Sequence, residues 1–322
     1  MKQSRRDFVR TLFVATQAAV ASRFLPGTLQ AAPTNEPPVQ PGGLNFLVLG
    51  DWGRHGEPDQ VMVATQMGIT AERLKANFVI SVGDNFYEDG VTSTDDPQWL
   101  DSFENVYAAQ SLQVPWQVIL GNHDYHGNCD AQVAYSKISP RWRMPWRYYS
   151  RTEKVDNTTT ADFFYVDTTP LIQSYYKEGE KTRANVISQD APLQLLWLKD
   201  ALSKSPAQWK IVIGHHPIYS GGEHGNTPEL IEKVLPLLHD YGVHAYFNGH
   251  DHDLQHLQAG TVNFFDSGAG SSVRPTSKTQ YTKFAEGCSG FTAVALSANQ
   301  MQVQMIDSHG TLLYTASVPR VS

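Results

Sequence analysis

The chain has 322 residues, 41% of them hydrophobic and 18% charged, the balance of an ordinary globular protein long enough for a sizeable core. Its 25 basic and 32 acidic side chains leave a mildly negative surface, with no electrostatic reason to expect a nucleic-acid partner. Only Cys129 and Cys288 occur, which excludes a disulfide framework and any cysteine-rich zinc site; one disulfide and two free thiols both remain open.

In chain order, Met1–Asp7 reads MKQSRRD, and Arg5–Arg6 precede Phe8, Val9 and an apolar stretch from Thr11 to Ala21. Leu29–Gln30–Ala31–Ala32 follows as a small-residue cleavage region. A twin-arginine pair before a modest apolar run is the address of an export route for folded proteins. Residues 1–32 are therefore read as a signal peptide, and a periplasmic or secreted location is expected. The apolar stretch is too short to span a bilayer and no other segment reaches about 18 apolar residues, so no stable membrane insertion is expected. A Pro-rich linker covers residues 33–43, and residues 44–322 are expected to form a single domain.

From Leu44 onward, short apolar runs alternate with longer amphipathic segments. Strands are expected at Leu44–Leu49, Asn77–Val82, Trp116–Leu120, Phe163–Asp167, Trp209–Ile213 and Val243–Phe247, and helices at Asp59–Lys75, Pro192–Leu202 and Pro228–Tyr241. Strands apolar on both faces that alternate with helices argue for an α/β protein with covered sheets. Thr261–Phe265, Phe291–Leu296, Met301–Ile306 and Thr311–Ser317 follow one another closely and suggest antiparallel strands. Pro170–Asp190 is polar and weakly patterned, and reads as an exposed loop.

Five glycine-led motifs follow the expected strands. They are Gly50–Asp51–Trp52–Gly53, Gly83–Asp84–Asn85–Phe86–Tyr87, Gly121–Asn122–His123–Asp124, Gly214–His215–His216–Pro217 and Gly249–His250–Asp251–His252. Glycine lets the chain turn sharply at a strand end, so the next carboxylate or imidazole can project into a shared crevice. Aspartate, asparagine and histidine without cysteine suit Fe, Zn or Mn. Two ions of four protein ligands each, sharing one bridge, need seven ligands. Asp51, Asp84, Tyr87, Asn122, His215, His250 and His252 supply them. A pair of ions can clamp the attacking and leaving oxygens of a phosphoryl transfer.

These residues resemble the metallophosphoesterase signature and, more narrowly, that of the purple acid phosphatases of the tartrate-resistant type. The similarity includes GNHDYHGN, AQVAYSKISPRW, GGEHG and YGVHAYFNGHDHDLQHL, runs from Leu44 to about Gly270, and thins in the C-terminal strands. The discriminating residue is Tyr87, three positions beyond Asp84. The resemblance implies a four-layer αββα sandwich of two mixed β-sheets flanked by helices. It implies Fe(III) held by Asp51, Tyr87 and His252, a second divalent metal (Fe(II), Zn or Mn) held by Asn122, His215 and His250, and Asp84 bridging. It also implies hydrolysis of phosphate monoesters by a metal-activated hydroxide, with His123 and His224 binding a phosphate oxygen or protonating the leaving alkoxide.

Small phosphate esters are the expected substrates, with phosphopeptides as further candidates, and a monomer is expected. A phosphodiesterase or phosphoprotein phosphatase on the same scaffold, or a non-catalytic metal- or phosphate-binding protein, are the alternatives. Asp124 and Asp251 are expected to orient histidines, His216 to be structural, and Asn85 to contact substrate or cap its turn. The aromatic cluster Trp142–Tyr149 reads as packing.

Overall fold

The computed structural model describes residues 43–320. The export signal expected over residues 1–32, and all of the linker but its last residue, lie outside the described residues. The first strands are β1 (Leu44–Leu49), β2 (Phe78–Ser81), β3 (Trp116–Val118) and β4 (Trp142–Arg143). Then come β5 (Tyr149–Lys154), β6 (Thr160–Tyr165), β7 (Trp209–Ile213), β8 (Ala245–Asn248), β9 (Leu254–Ala259) and β10 (Val262–Ser267). The last are β11 (Thr282–Glu286), β12 (Gly290–Leu296), β13 (Gln300–Asp307) and β14 (Leu312–Pro319). They form two seven-stranded sheets, ordered β14-β13-β12-β1-β2-β3-β4 and β11-β9-β10-β8-β7-β6-β5. Both are mixed: β1 to β4 run parallel while β12 to β14 are antiparallel, and β6, β7, β8 and β10 run parallel between antiparallel edges.

The sheets pack face to face. Phe46 of the first sheet meets Phe163 and Phe247 of the second edge-on, with ring centroids 5.5 and 6.2 Å apart. Every residue of β1 is buried, because its other face is covered by helix α1 (Pro58–Leu74), which turns Val63, Ala64, Met67 and Ala71 inward. The outer face of the second sheet is covered in the same way, through Leu198, Leu202, Leu230, Val234 and Leu238 of the later helical segments. The four layers are thus the expected ones.

Four expectations need correction. β4, β5, β9 and β11 were not anticipated; LQHLQA of β9 alternates too weakly to stand out beside the motif before it. The strand expected at Thr261–Phe265 exists as β10, but it joins the second sheet between β9 and β8 rather than the C-terminal antiparallel run. The helix expected over Pro228–Tyr241 is two, Pro228–Lys233 and Leu235–Asp240. Pro236 cannot donate to the preceding turn, so the ladder breaks there. The segment expected to be an exposed loop at Pro170–Asp190 carries short helical turns, and it buries Leu171, Ile172 and Val186.

The two cysteines are free. In the aromatic cluster, Trp142 packs on Trp52, Trp99 and Phe103, and Tyr149 stacks on Tyr165, while Trp146 is exposed.

Candidate metal centre

The parallel strands β1, β2 and β3 of one sheet and β7 and β8 of the other end along one edge of the sandwich, and all five motifs lie just beyond them. Three of the five turns are held in an unusual backbone state. Asp51, Asp84 and His250 all have positive φ (59°, 47° and 74°), a region that costs a side-chain-bearing residue about 1–3 kcal/mol. Glycine is required beside them. A side chain at Gly121 would collide with the Asp84 carboxylate, and one at Gly249 with that of Asp51.

All seven expected ligands come together. The Tyr87 Oη lies 3.0 Å from Asp51 Oδ1, 3.0 Å from Asp84 Oδ2 and 3.1 Å from His252 Nε2. The other oxygen of Asp84, Oδ1, is 3.5 Å from His215 Nε2. That nitrogen also lies 3.1 Å from Asn122 Oδ1 and 3.3 Å from His250 Nδ1. Asp84 therefore faces both groups.

Hydrogen-bond accounting tests whether a cation pair fits. A phenol owns one proton, so it cannot donate to three neighbours at once, and the lone pairs of Asp51, Asp84 and Tyr87 converge beside His252 Nε2. His215 Nδ1 is 2.9 Å from the Val82 carbonyl, which only accepts, so in the neutral ring its Nε2 turns a lone pair toward Asn122 and Asp84. Buried acceptors facing one another without enough hydrogens are the donor set of bound cations, and the residues fit two of them.

The charges agree. Burial, reinforced by Asp84, pushes the Asp51 carboxyl well above the ordinary range. For Asp84 burial acts in the same sense but is outweighed by the His215 and His123 imidazoles, so its carboxyl is held well below that range. Burial would depress His215, yet Asp84 and Asp51 hold it up to about 9. The site thus attracts positive charge. Burial and neighbouring imidazoles keep His250 well below its usual value, and burial with Arg274 brings His252 down to about 3, so both remain neutral donors.

Ligand-competent atoms of His215, His216 and His250 also lie within 4.8 Å of one another. Even so, both ring nitrogens of His216 are taken, Nδ1 by Thr168 Oγ1 at 2.8 Å and Nε2 by Tyr175 Oη at 2.9 Å. His216 is structural, as expected.

Around the seven, His123 donates its backbone N–H to Asp84 Oδ1 at 2.8 Å, and its ring nitrogen Nδ1 lies 2.6 Å from the Glu88 carbonyl. His224 stacks on His250 at 4.1 Å, with Arg274 Nη1 2.5 Å from its Nε2. Arg274 can only donate, so His224 accepts at that atom. Asp251 holds the His224 backbone N–H at 2.8 Å. Asp124 departs from expectation and touches no histidine. Its buried carboxylate accepts from the backbone of Asn85 and Gly121 and from Gln132, tying the second motif to the third. Asn85 is fully buried in that network and cannot meet a substrate; it supports its turn through Ser81, Ile119, Asp124 and Gln132. Residues not anticipated are Ser272, 3.0 Å from His252 Nδ1, together with Thr168, Tyr175, Arg54 over the Tyr87 ring, and Arg274. Arg54 follows the first motif directly; the others lie outside every motif, and no spacing marks them.

Comparison with known proteins agrees with this geometry. Residues 44–254 match the calcineurin-like phosphoesterase family. The chain is 38% identical over 313 residues to purple acid phosphatase 7 of Arabidopsis thaliana, covering 93% of this chain and 94% of that one. It is 37% identical to mouse tartrate-resistant acid phosphatase type 5, covering 86% and 90%. The first of these alignments leaves too few residues unmatched to exclude the C-terminal strands, so the similarity extends past Gly270. Among solved structures, Plasmodium GAP50, described as the anchor in the inner membrane complex, superposes with a TM-score of 0.77 at 28% identity, covering 87% of this chain and 89% of that one. The converging donors and these relatives lead to one assignment: the chain belongs to the purple acid phosphatases of the calcineurin-like phosphoesterase family, metal-dependent hydrolases of phosphate monoesters with a binuclear centre.

Proposed function

We propose an Fe(III)–M(II) acid phosphatase in which Asp51, Tyr87 and His252 hold the iron and Asn122, His215 and His250 hold Fe(II), Zn or Mn, with Asp84 shared. The carrying observation is the Tyr87 phenol between two carboxylates and an imidazole. Burial and the charges of Asp51 and Asp84 push its proton affinity well above normal, so only a strongly acidic cation would ionise it. A cation pair there supplies Lewis acidity toward phosphoryl oxygens and acidifies water.

The chain's own residues do the rest. Asn122 and His250 are half-buried while Asp51 and His252 are buried, so substrate approaches from the Asn122–His250 side. His123 donates Nδ1–H to the Glu88 carbonyl, which leaves Nε2 facing the site; as the imidazolium it can pass the Nε2 proton to the departing alkoxide. His224 and Arg274 together receive a phosphoryl oxygen, the guanidinium as donor. Small phosphate esters, including phosphopeptides, are the proposed substrates. A monomer without a nucleic-acid partner, a single domain over residues 44–322, and twin-arginine export to the periplasm or beyond complete the reading. Among the described residues no helix is long and apolar enough to cross a membrane.

The test is the visible absorption spectrum of the oxidised protein beside its metal content. A broad visible band that vanishes in Tyr87→Phe supports tyrosinate–iron(III). Two bound metals without such a band would refute iron at this position and leave zinc or manganese in its place.

A further inference from the structure

Tyr175 belongs to no motif, yet the hydrogen bonds around it give its hydroxyl a task. Thr168 Oγ1 accepts the backbone N–H groups of His215 at 3.2 Å and His216 at 3.1 Å, which uses both lone pairs. Its own hydrogen must then go to His216 Nδ1, 2.8 Å away. His216 therefore carries its proton on Nε2 and donates it to Tyr175 Oη at 2.9 Å. The Tyr175 hydroxyl is left as an acceptor there, with its own hydrogen unspent.

The position of that hydrogen matters. The His216 ring lies 4.4 Å from the His250 ring and 5.0 Å from that of His215, so the phenol sits one imidazole away from two of the proposed ligands. Burial and then the charge of Asp84 keep it protonated. The segment that presents it is clamped. Tyr176 Oη donates to the Pro170 carbonyl at 2.8 Å, Thr182 Oγ1 to the Tyr175 carbonyl at 3.3 Å, and Asn185 Nδ2 to the carbonyls of Tyr125 and Gly127 at 2.7 and 3.0 Å. The donor is preorganised beside His216, one ring from His250, on the side from which substrate is proposed to approach.

We propose that Tyr175 is a substrate-binding residue that donates its O–H to a phosphoryl oxygen of the bound ester and of product phosphate, with Thr168 and His216 as its positioning residues. This rests on the phosphatase reading above. No bond is made or broken at Tyr175.

The experiment compares wild type and Tyr175→Phe, purified as holoproteins, by metal content, melting temperature, calorimetric affinity for inorganic phosphate, and kcat and KM on a phosphate monoester. A hydrogen bond to a charged oxygen predicts about tenfold weaker phosphate binding and a comparable rise in KM at unchanged metal content, while the melting temperature falls by a few degrees because the buried His216 Nε2–H loses its acceptor. Phosphate affinity within twofold of wild type at full metal occupancy overturns the proposal. So does weakened binding that appears only together with metal loss, since Tyr175 would then act by holding His216 against His250. If the metal-loaded wild type neither binds phosphate nor cleaves the monoester, the phosphatase reading fails and this inference with it; loss confined to the variant separates the two.

Discussion

His256 makes the stability of this protein depend on pH in a way that can be worked from its surroundings. Its ring stacks on Phe265 at 4.3 Å, and its nitrogens face Tyr314 Oη and Asn263 Oδ1, each at 3.0 Å. Asn263 Oδ1 only accepts, so Nε2 carries the proton and the neutral ring is fully satisfied. Burial is the main reason its pKa falls from 6.5 to about 4, with Lys283 adding to it. A group whose folded pKa is depressed contributes stability that is complete above its unfolded value of 6.5 and is lost as pH falls toward 4. At ~1.4 kcal/mol per tenfold change in proton affinity, that loss reaches about 3 kcal/mol. His256→Phe keeps the stack and removes the titration, but leaves Asn263 Oδ1 without its donor, a cost of about 1–3 kcal/mol. Denaturant unfolding at pH 7.5 and pH 4 should therefore show the variant less stable at the higher pH, with the gap closing by about 3 kcal/mol at the lower. Other acidic groups titrate in both proteins and cancel in the difference. Parallel pH profiles for the two would refute the reasoning.

Two further outcomes follow from the metal centre. Removing metal with a chelator should lower the melting temperature by several degrees, since an ion at a hundredfold its dissociation constant stabilises the folded state by about 2.7 kcal/mol; scanning calorimetry before and after confirmed metal loss reads it, and an unmoved transition refutes it. Gly121→Ala places a methyl group against the Asp84 carboxylate, and should cost about tenfold or more in metal affinity or monoester turnover, read by competitive metal titration and steady-state kinetics. Wild-type values in both assays would show that the Asp84 turn yields freely.

Much of this was legible from residue order because the ligands sit where strands stop. β1 and β7 matched their expected limits of Leu44–Leu49 and Trp209–Ile213, and a glycine after each strand marked where a side chain leaves the sheet. The supporting residues were not legible. Thr168 reaches His216 across 48 positions and Arg274 reaches His224 across 50, distances that only the closed fold collapses. Asp124 illustrates the other difficulty. Beside a histidine in sequence it looks like that histidine's partner, but its carboxylate turns inward to three donors that one strand end alone cannot reveal. The strand β9 was hidden for a related reason: sandwiched between β10 and β11, it can bury polar residues such as Gln255 and His256, which blurs the alternation that would announce it.

The convergence of two sheets on one edge has a mechanical meaning. Asp51 and Asp84 stand at the ends of the first sheet and His215, His250 and His252 at the ends of the second, and Asp51 and His250 are 199 positions apart. A binuclear centre seated among them is a removable staple that closes a very long loop. Chain entropy alone values a covalent cross-link over a loop of about 100 residues at about 5 kcal/mol. With both cysteines free, the strength of this cross-link is set by the metal available around the protein and not by a disulfide.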